Sequence, residues 1–225
     1  MRYQVHDTDG WVAAEALRLD VVPRRAYRRG AKRCLDVVLV LLAAPTALVI
    51  VLGAALLVAL DGHNPFYSQI RVGRNGRHFR LWKLRSMVPD AEARLKRHLE
   101  SCDVARREWT EKQKLTNDPR VTRTGAFLRK TSIDELPQLW NVLVGQMSLV
   151  GPRPFMADQT GLYPGKAYFR LRPGITGNWQ VSDRNASTFA ARARFDDEYD
   201  RALSLVGDVR ILAQTVAVVF RCTGC

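Results

Sequence analysis

One stretch of the chain is apolar without interruption, and the rest alternates at short periods. From Val37 to Leu60, 24 residues pass without a charge. As a helix they would extend about 36 Å, enough for a bilayer core of about 30 Å. The run starts too late and is too long for a secretory signal, and no small-residue cleavage site follows it. Past residue 64 the pattern changes. Residues 65–87 read as short strands around the turn residues Asn75-Gly76. Residues 90–113 are charged with sparse apolar positions and predict one surface helix. A turn falls at 117–120. A helix is predicted over 134–144, with Leu136, Leu139, Trp140 and Leu143 on one face. Proline and glycine mark loops at 151–155 and 172–180. Residues 188–205 predict an amphipathic, mixed-charge helix, and about 208–221 a final apolar one that reads as core. The sum is an α+β fold. It has an N-terminal extension (1–31), a membrane helix segment (32–62), and a mainly helical domain with short strands and surface-associated amphipathic helices (63–225).

Charge alters how the apolar run is read. Lys and Arg number 35 against 22 Asp and Glu, a net charge of +13. That excess favours acidic partners: nucleic acid, anionic lipid or phosphorylated small molecules. Before the run stand Arg24, Arg25, Arg28, Arg29, Lys32 and Arg33; after it stand Arg71, Arg74, Arg77, Arg80, Lys83 and Arg85. Positive flanks prefer the cytoplasmic side. One span cannot place both there, whereas a re-entrant hairpin can. Pro45 supplies a candidate break, although membrane helices also tolerate proline. Both topologies remain open on this ground. Cys222 and Cys225 form one C-x-x-C without a second pair, which argues against zinc.

Against this basic background, "TSIDELPQLWN" (131–141) sets Asp134 beside Glu135. Pro137 is harmless only within a helix's first turn, so Asp134 is the expected N-cap. Two carboxylates at a helix start have a plain explanation, capping and the helix dipole. Their neighbours suggest chemistry. Arg123 and Arg129 lie close in sequence. Arg153 is held between two prolines, and Arg172 precedes Pro-Gly. Guanidinium forks bind phosphate oxygens, and carboxylates among them suit Mg²⁺ or a carboxylate nucleophile.

Several blocks then occur in one order: "KRCLDVV", "QIRVGRNGRHFRLWKLRSM", "LTNDPRVTRTGAFLRKTSIDELPQLWNVLVGQMSLVGPRP" and "LRPGITGNWQV". From about Lys32 to the C-terminus the chain resembles the bacterial sugar transferases, monotopic phosphoglycosyl transferases that initiate exopolysaccharide assembly. The resemblance implies that Asp134 attacks the β-phosphate of a UDP-sugar, releases UMP and carries a covalent sugar phosphate to polyprenyl phosphate. It implies a Mg²⁺ cofactor held with Glu135 and Asp134, a phosphate contact at Arg129, and a nucleotide-side position for Arg153. Arg172 and Gln180 are further substrate-binding candidates. It also implies a re-entrant membrane helix at the cytoplasmic face of the bacterial inner membrane, with anionic lipids as partners, no nucleic acid, and a possible homodimer. Ala44 departs from the family's serine before Pro45. Galactose or glucose is the expected hexose. A basic membrane adaptor, or a lipid glycosyltransferase releasing UDP, are the competing readings. Among the tryptophans, periodicity assigns Trp140 to the core. Asp118 in "NDPR" reads as a turn residue.

Overall fold

The computed structural model describes residues 24–113, 115–182 and 188–220. Most of the predicted N-terminal extension and the Cys222/Cys225 pair lie outside these residues.

The apolar run is helical, as its composition requires. A turn at Arg24–Ala26 and a π-helical segment, Tyr27–Ala31, lead into α1 (Lys32–Ala59). The expected break at Pro45 does not interrupt it: α1 continues through the proline. A proline removes one backbone hydrogen bond and can bend the axis, yet the flanking turns keep theirs. Leu41, Leu42, Leu48, Val49 and Leu52 in the middle are exposed. Both ends are held by the rest of the fold. Near the start, Tyr27 and Lys32 donate to the buried Asp208 carboxylate at 2.6 and 2.5 Å, and Arg28 pairs with Asp200 at 2.6 Å. Arg33 donates to the Val142 and Leu143 carbonyls at 2.5 and 2.8 Å. Near the end, Arg85 donates to the Val58 carbonyl and to Asp61 at 3.3 and 2.5 Å.

β1 (Phe66–Val72) and β2 (His78–Leu84) form the expected antiparallel hairpin. Its turn has Asn75 at φ 59° and Gly76 at φ 74°, which suits the Asn-Gly pair. β2 is where α1 returns. Val40 clusters with Phe79 and Leu81, while Ala54, Ala55 and Val58 cluster with Leu84. From Val40 to Ala54 a straight helix covers about 21 Å. From Leu81 to Leu84 a strand covers about 10 Å.

The single helix expected over 90–113 is two, α2 (Ala91–Ser101) and α3 (Asp103–Lys112), divided at an extended Cys102. With no buried residue in α2 and one in α3, little packing holds a continuous rod straight. The first α4 turn (Arg123–Lys130) is capped by Thr122, whose hydroxyl accepts from the Gly125 N–H at 2.9 Å. The predicted helix over 134–144 is shorter: a 3₁₀ turn at Ile133–Glu135, then α5 (Gln138–Leu143) with Pro137 at its cap. Pro137 has no N–H to return to residue 133, so the α-helical ladder starts after it. Trp140 is 60% exposed, contrary to its periodic placement in the core.

β3 (Ser148–Val150) pairs in parallel with β4 (Gly174–Thr176). Between them lies α6 (Ala167–Arg170), and α7 (Asn178–Val181) follows β4. The expected loop at 172–180 therefore holds a strand and a helical turn. Gly151 and Gly174 allow it: a Cβ at Gly174 would stand 2.1 Å from the Gly151 nitrogen. α8 (Arg192–Ala202) buries Phe195 and Tyr199. α9 (Leu205–Phe220) packs Ile211 into the core but leaves Val209 and Val216 exposed, so it is core on one side only. The α+β class holds: among the described residues helices dominate, with two small two-stranded sheets.

Candidate active site

Asp134 and Glu135 sit in the 3₁₀ turn between α4 and α5. Asp134 does not cap a helix. Ser132, two residues before it, has a left-handed φ of 58°, a conformation that costs a non-glycine residue energy and is common beside functional groups. The Asp134 side chain is 6% exposed. Removal from water pushes its carboxyl above the usual range. Lys83 opposes this most strongly, Arg129 and Arg153 add to the opposition, and the Glu135 carboxylate pushes the other way.

The Lys83 ammonium is the nearest cation. Its Nζ lies 2.7 Å from Glu135 Oε1 and 3.7 Å from Asp134 Oδ2. It comes from β2, where Phe79 and Leu81 precede it at a spacing of two on the inward face. That register is the sign in the sequence that Lys83 points inward, although by charge alone Lys83 belongs to the basic flank after the apolar run. Asn141 locks α5 to the same strand. It accepts from the Trp82 N–H at 3.2 Å and donates to the Arg80 carbonyl at 2.7 Å.

Arg129 occupies the last turn of α4, and its Nε donates to Ser86 Oγ at 2.9 Å. Burial lowers its pKa, while Asp134 and Asp118 act to raise it. α4 comes this close because Gly125 lies against the chain after β2: a Cβ there would stand 1.9 Å from the Ser86 oxygen. Arg153 Nη2 reaches Glu135 Oε1 at 3.5 Å. Asp118 is bound by Arg120 at 2.6 Å, within its turn.

Beyond Arg153 stand two arginines that sequence reasoning missed. Burial, with Arg153 adding, moves Arg71 down to about 10. Burial and the same neighbour move Arg192 down to about 9. The Nε of each is buried without a hydrogen-bond partner. Arg192 lies over the Trp179 and Phe189 rings at 4.2 and 4.7 Å. Nearby Asp196 accepts from Tyr163 Oη at 2.6 Å, and burial raises it to about 7.

A small polar pocket joins Arg71, Lys83, Glu135, Gln138, Arg153 and Pro154. A larger apolar cavity of about 380 Å³ opens on the other side of Glu135 and Arg153. Of the predicted site residues, Asp134, Glu135, Arg129 and Arg153 come together. Gln180 lines the apolar cavity. Arg172 is not brought to either pocket; its Nε donates to the Gly145 carbonyl at 3.0 Å. Pro45 is in α1.

Residues 27–222 match the bacterial sugar transferase family. The chain belongs to that family. The bacterial sugar transferase is 49% identical over 170 residues to a UDP-galactose-lipid carrier transferase of Erwinia amylovora. That alignment covers 75% of this chain and 36% of the relative. It is 44% identical over 195 residues to the exopolysaccharide production protein ExoY of Rhizobium meliloti, covering 84% and 85% of the two chains. An undecaprenyl-phosphate glucose phosphotransferase of Komagataeibacter xylinus is 38% identical over 212 residues, covering 88% of this chain and 36% of the relative. The chain thus spans little more than a third of the longer relatives and most of ExoY.

Proposed function

We propose that this bacterial sugar transferase moves a hexose 1-phosphate from a UDP-sugar to undecaprenyl phosphate and releases UMP, an initiating step in exopolysaccharide synthesis. The observation that carries the proposal is one buried carboxylate, Asp134, set among Lys83, Arg129 and Arg153. An Asp134 oxygen attacks the β-phosphorus, and the bond to the UMP oxygen breaks. A sugar-phosphate aspartyl mixed anhydride, an acyl phosphate, results. An oxygen of the lipid phosphate then attacks the same phosphorus, and the carboxylate leaves. Lys83, Arg129 and Arg153 balance charge on the transferring group, while Arg71 and Arg192 offer unpaired N–H donors to the nucleotide-side phosphate. Galactose and glucose are the hexoses named for relatives.

Asp134 and Glu135 are the side chains that would hold Mg²⁺. Their oxygen donors suit it, and the Lys83 ammonium lies against both carboxylates, where positive charge is favoured. No group of three His, Cys, Asp or Glu side chains is arranged for a metal among the described residues. Water and diphosphate oxygens would complete the coordination, as Mg²⁺ tolerates. When bound, the ion neutralises diphosphate charge.

A re-entrant placement of α1 at the cytoplasmic face is part of the same proposal. It is supported by the polar ties at both helix ends and by the return of both ends to β2. Single cysteines at residues 37 and 60 should label from the cytoplasmic side alone; labelling from opposite sides would establish a span instead. The reaction itself is tested with purified protein, a panel of UDP-sugars, undecaprenyl phosphate and Mg²⁺. UMP is the expected nucleotide. Release of UDP would support a glycosyltransferase and exclude phosphosugar transfer.

A further inference from the structure

The polar pocket and the apolar cavity share a wall. Glu135, Arg153 and Ile175 border both, and the 3.5 Å Glu135–Arg153 pair stands between them. On the cavity side the lining becomes mainly hydrocarbon, with Thr131, Ser132, Thr176 and Thr215 among it. Leu136 and Leu139 continue from the dyad, Ile50 comes from the exposed part of α1, and Leu212, Val218 and Val219 come from α9. Its volume of about 380 Å³ is in the range of small-molecule sites, roughly 300–1,000 Å³. Gln180 lies on its wall, buried, with Oε1 unpartnered and Nε2 only 3.4 Å from the Ile175 carbonyl.

We propose that the cavity between α1 and α9 is the acceptor port: it takes the phosphate-proximal prenyl units of the lipid, with the lipid phosphate at Arg153. The inference rests on the transfer reaction proposed above and adds where the second substrate enters. A head-and-tail amphiphile matches a cavity that presents the Arg153 guanidinium at its dyad end and is apolar toward the membrane helix. A nucleotide does not, because an apolar wall offers little to ribose hydroxyls or to phosphates. The two substrates therefore approach Asp134 from opposite sides of the Glu135–Arg153 pair. The remaining prenyl chain continues past Ile50 into the bilayer.

The port is tested by filling it without touching the dyad. Val219→Trp narrows the cavity from α9, and Leu212→Trp narrows it about two helical turns earlier. Each is measured twice: UMP released on mixing with UDP-sugar alone, and steady-state turnover against undecaprenyl phosphate in detergent. The expected result is an unchanged stoichiometric UMP burst with KM for the lipid raised at least tenfold. A normal burst with an unchanged lipid KM in both variants would overturn the port. So would equal loss of burst and turnover in both variants, since the cavity would then serve the whole site. Absence of a burst in the unaltered enzyme, with product still forming, would overturn the covalent route instead. The port would then be judged by whether KM rises for the lipid alone or equally for the UDP-sugar.

Discussion

Asp134→Asn should lower turnover by at least about 10⁴-fold while raising thermal stability. Loss of a nucleophile costs on that order in enzymes that use covalent intermediates. No sugar-phosphate adduct should form at residue 134 with donor alone, and intact-mass measurement of the unaltered and altered proteins would show this. The stability half follows from linkage. Burial raises the Asp134 carboxyl above its unfolded value. A group raised in this way contributes stability that is fully present below its unfolded pKa and lost as pH rises through the folded pKa. At neutral pH the ionised carboxylate is therefore a cost to the fold, and the neutral amide removes it. The gain in melting temperature should be present at pH 7 and vanish toward pH 3. A variant that retained full activity would exclude the aspartyl intermediate; one that melted lower at pH 7 would mean that the Lys83 contact outweighs desolvation.

Lys83→Met is expected to have the next largest effect, lowering kcat/KM by about 10²–10³-fold at neutral pH, as for loss of one buried electrostatic donor. The methionine retains most of the length of the side chain but removes its charge. Lys83 is the strongest of the influences holding the Asp134 pKa down. Without it the carboxyl moves further up, and the acid limb of the pH–rate profile shifts to higher pH. Activity should recover in part as pH rises, because ionised Asp134 is the reacting form in the proposed route. Stability should fall by about 2 kcal/mol above that pKa, because Glu135 and Asp134 lose their closest cation. The figure is kept below that of a fully buried pair because Lys83 is 23% exposed. A pH profile unchanged in position, with lower amplitude alone, would assign Lys83 to substrate contact rather than to setting the charge state of the carboxylate.

These two residues also show where reading the chain succeeds and where it stops. Asp134 and Glu135 could be singled out because acidic neighbours before a proline are conspicuous among so many arginines. Their local geometry could not. The N-cap assignment treated Pro137 as lying inside a helix, whereas backbone hydrogen bonding starts the helix after it. Lys83 is 51 positions upstream (134 − 83), and only the pairing of β2 with the chain around α5 brings it to the carboxylates. Arg71 and Arg192 are further examples. Each looked like one basic residue among 35, and desolvation around Arg153 is what sets them apart.

Local rules were sufficient where the governing interaction is local. The apolar run, the Asn75-Gly76 hairpin and the surface character of 90–113 all follow from periodicity, turn chemistry and solvation over a few residues. Tertiary contacts settled the rest. They exposed Trp140, turned 172–180 into a strand and a helical turn, fastened both ends of α1 to one domain, and sent Arg172 to the Gly145 carbonyl. The physical reason is range. Helix and turn preferences act between neighbours along the chain, whereas burial and charge balance depend on distant segments meeting, and a one-dimensional pattern carries no record of those distances.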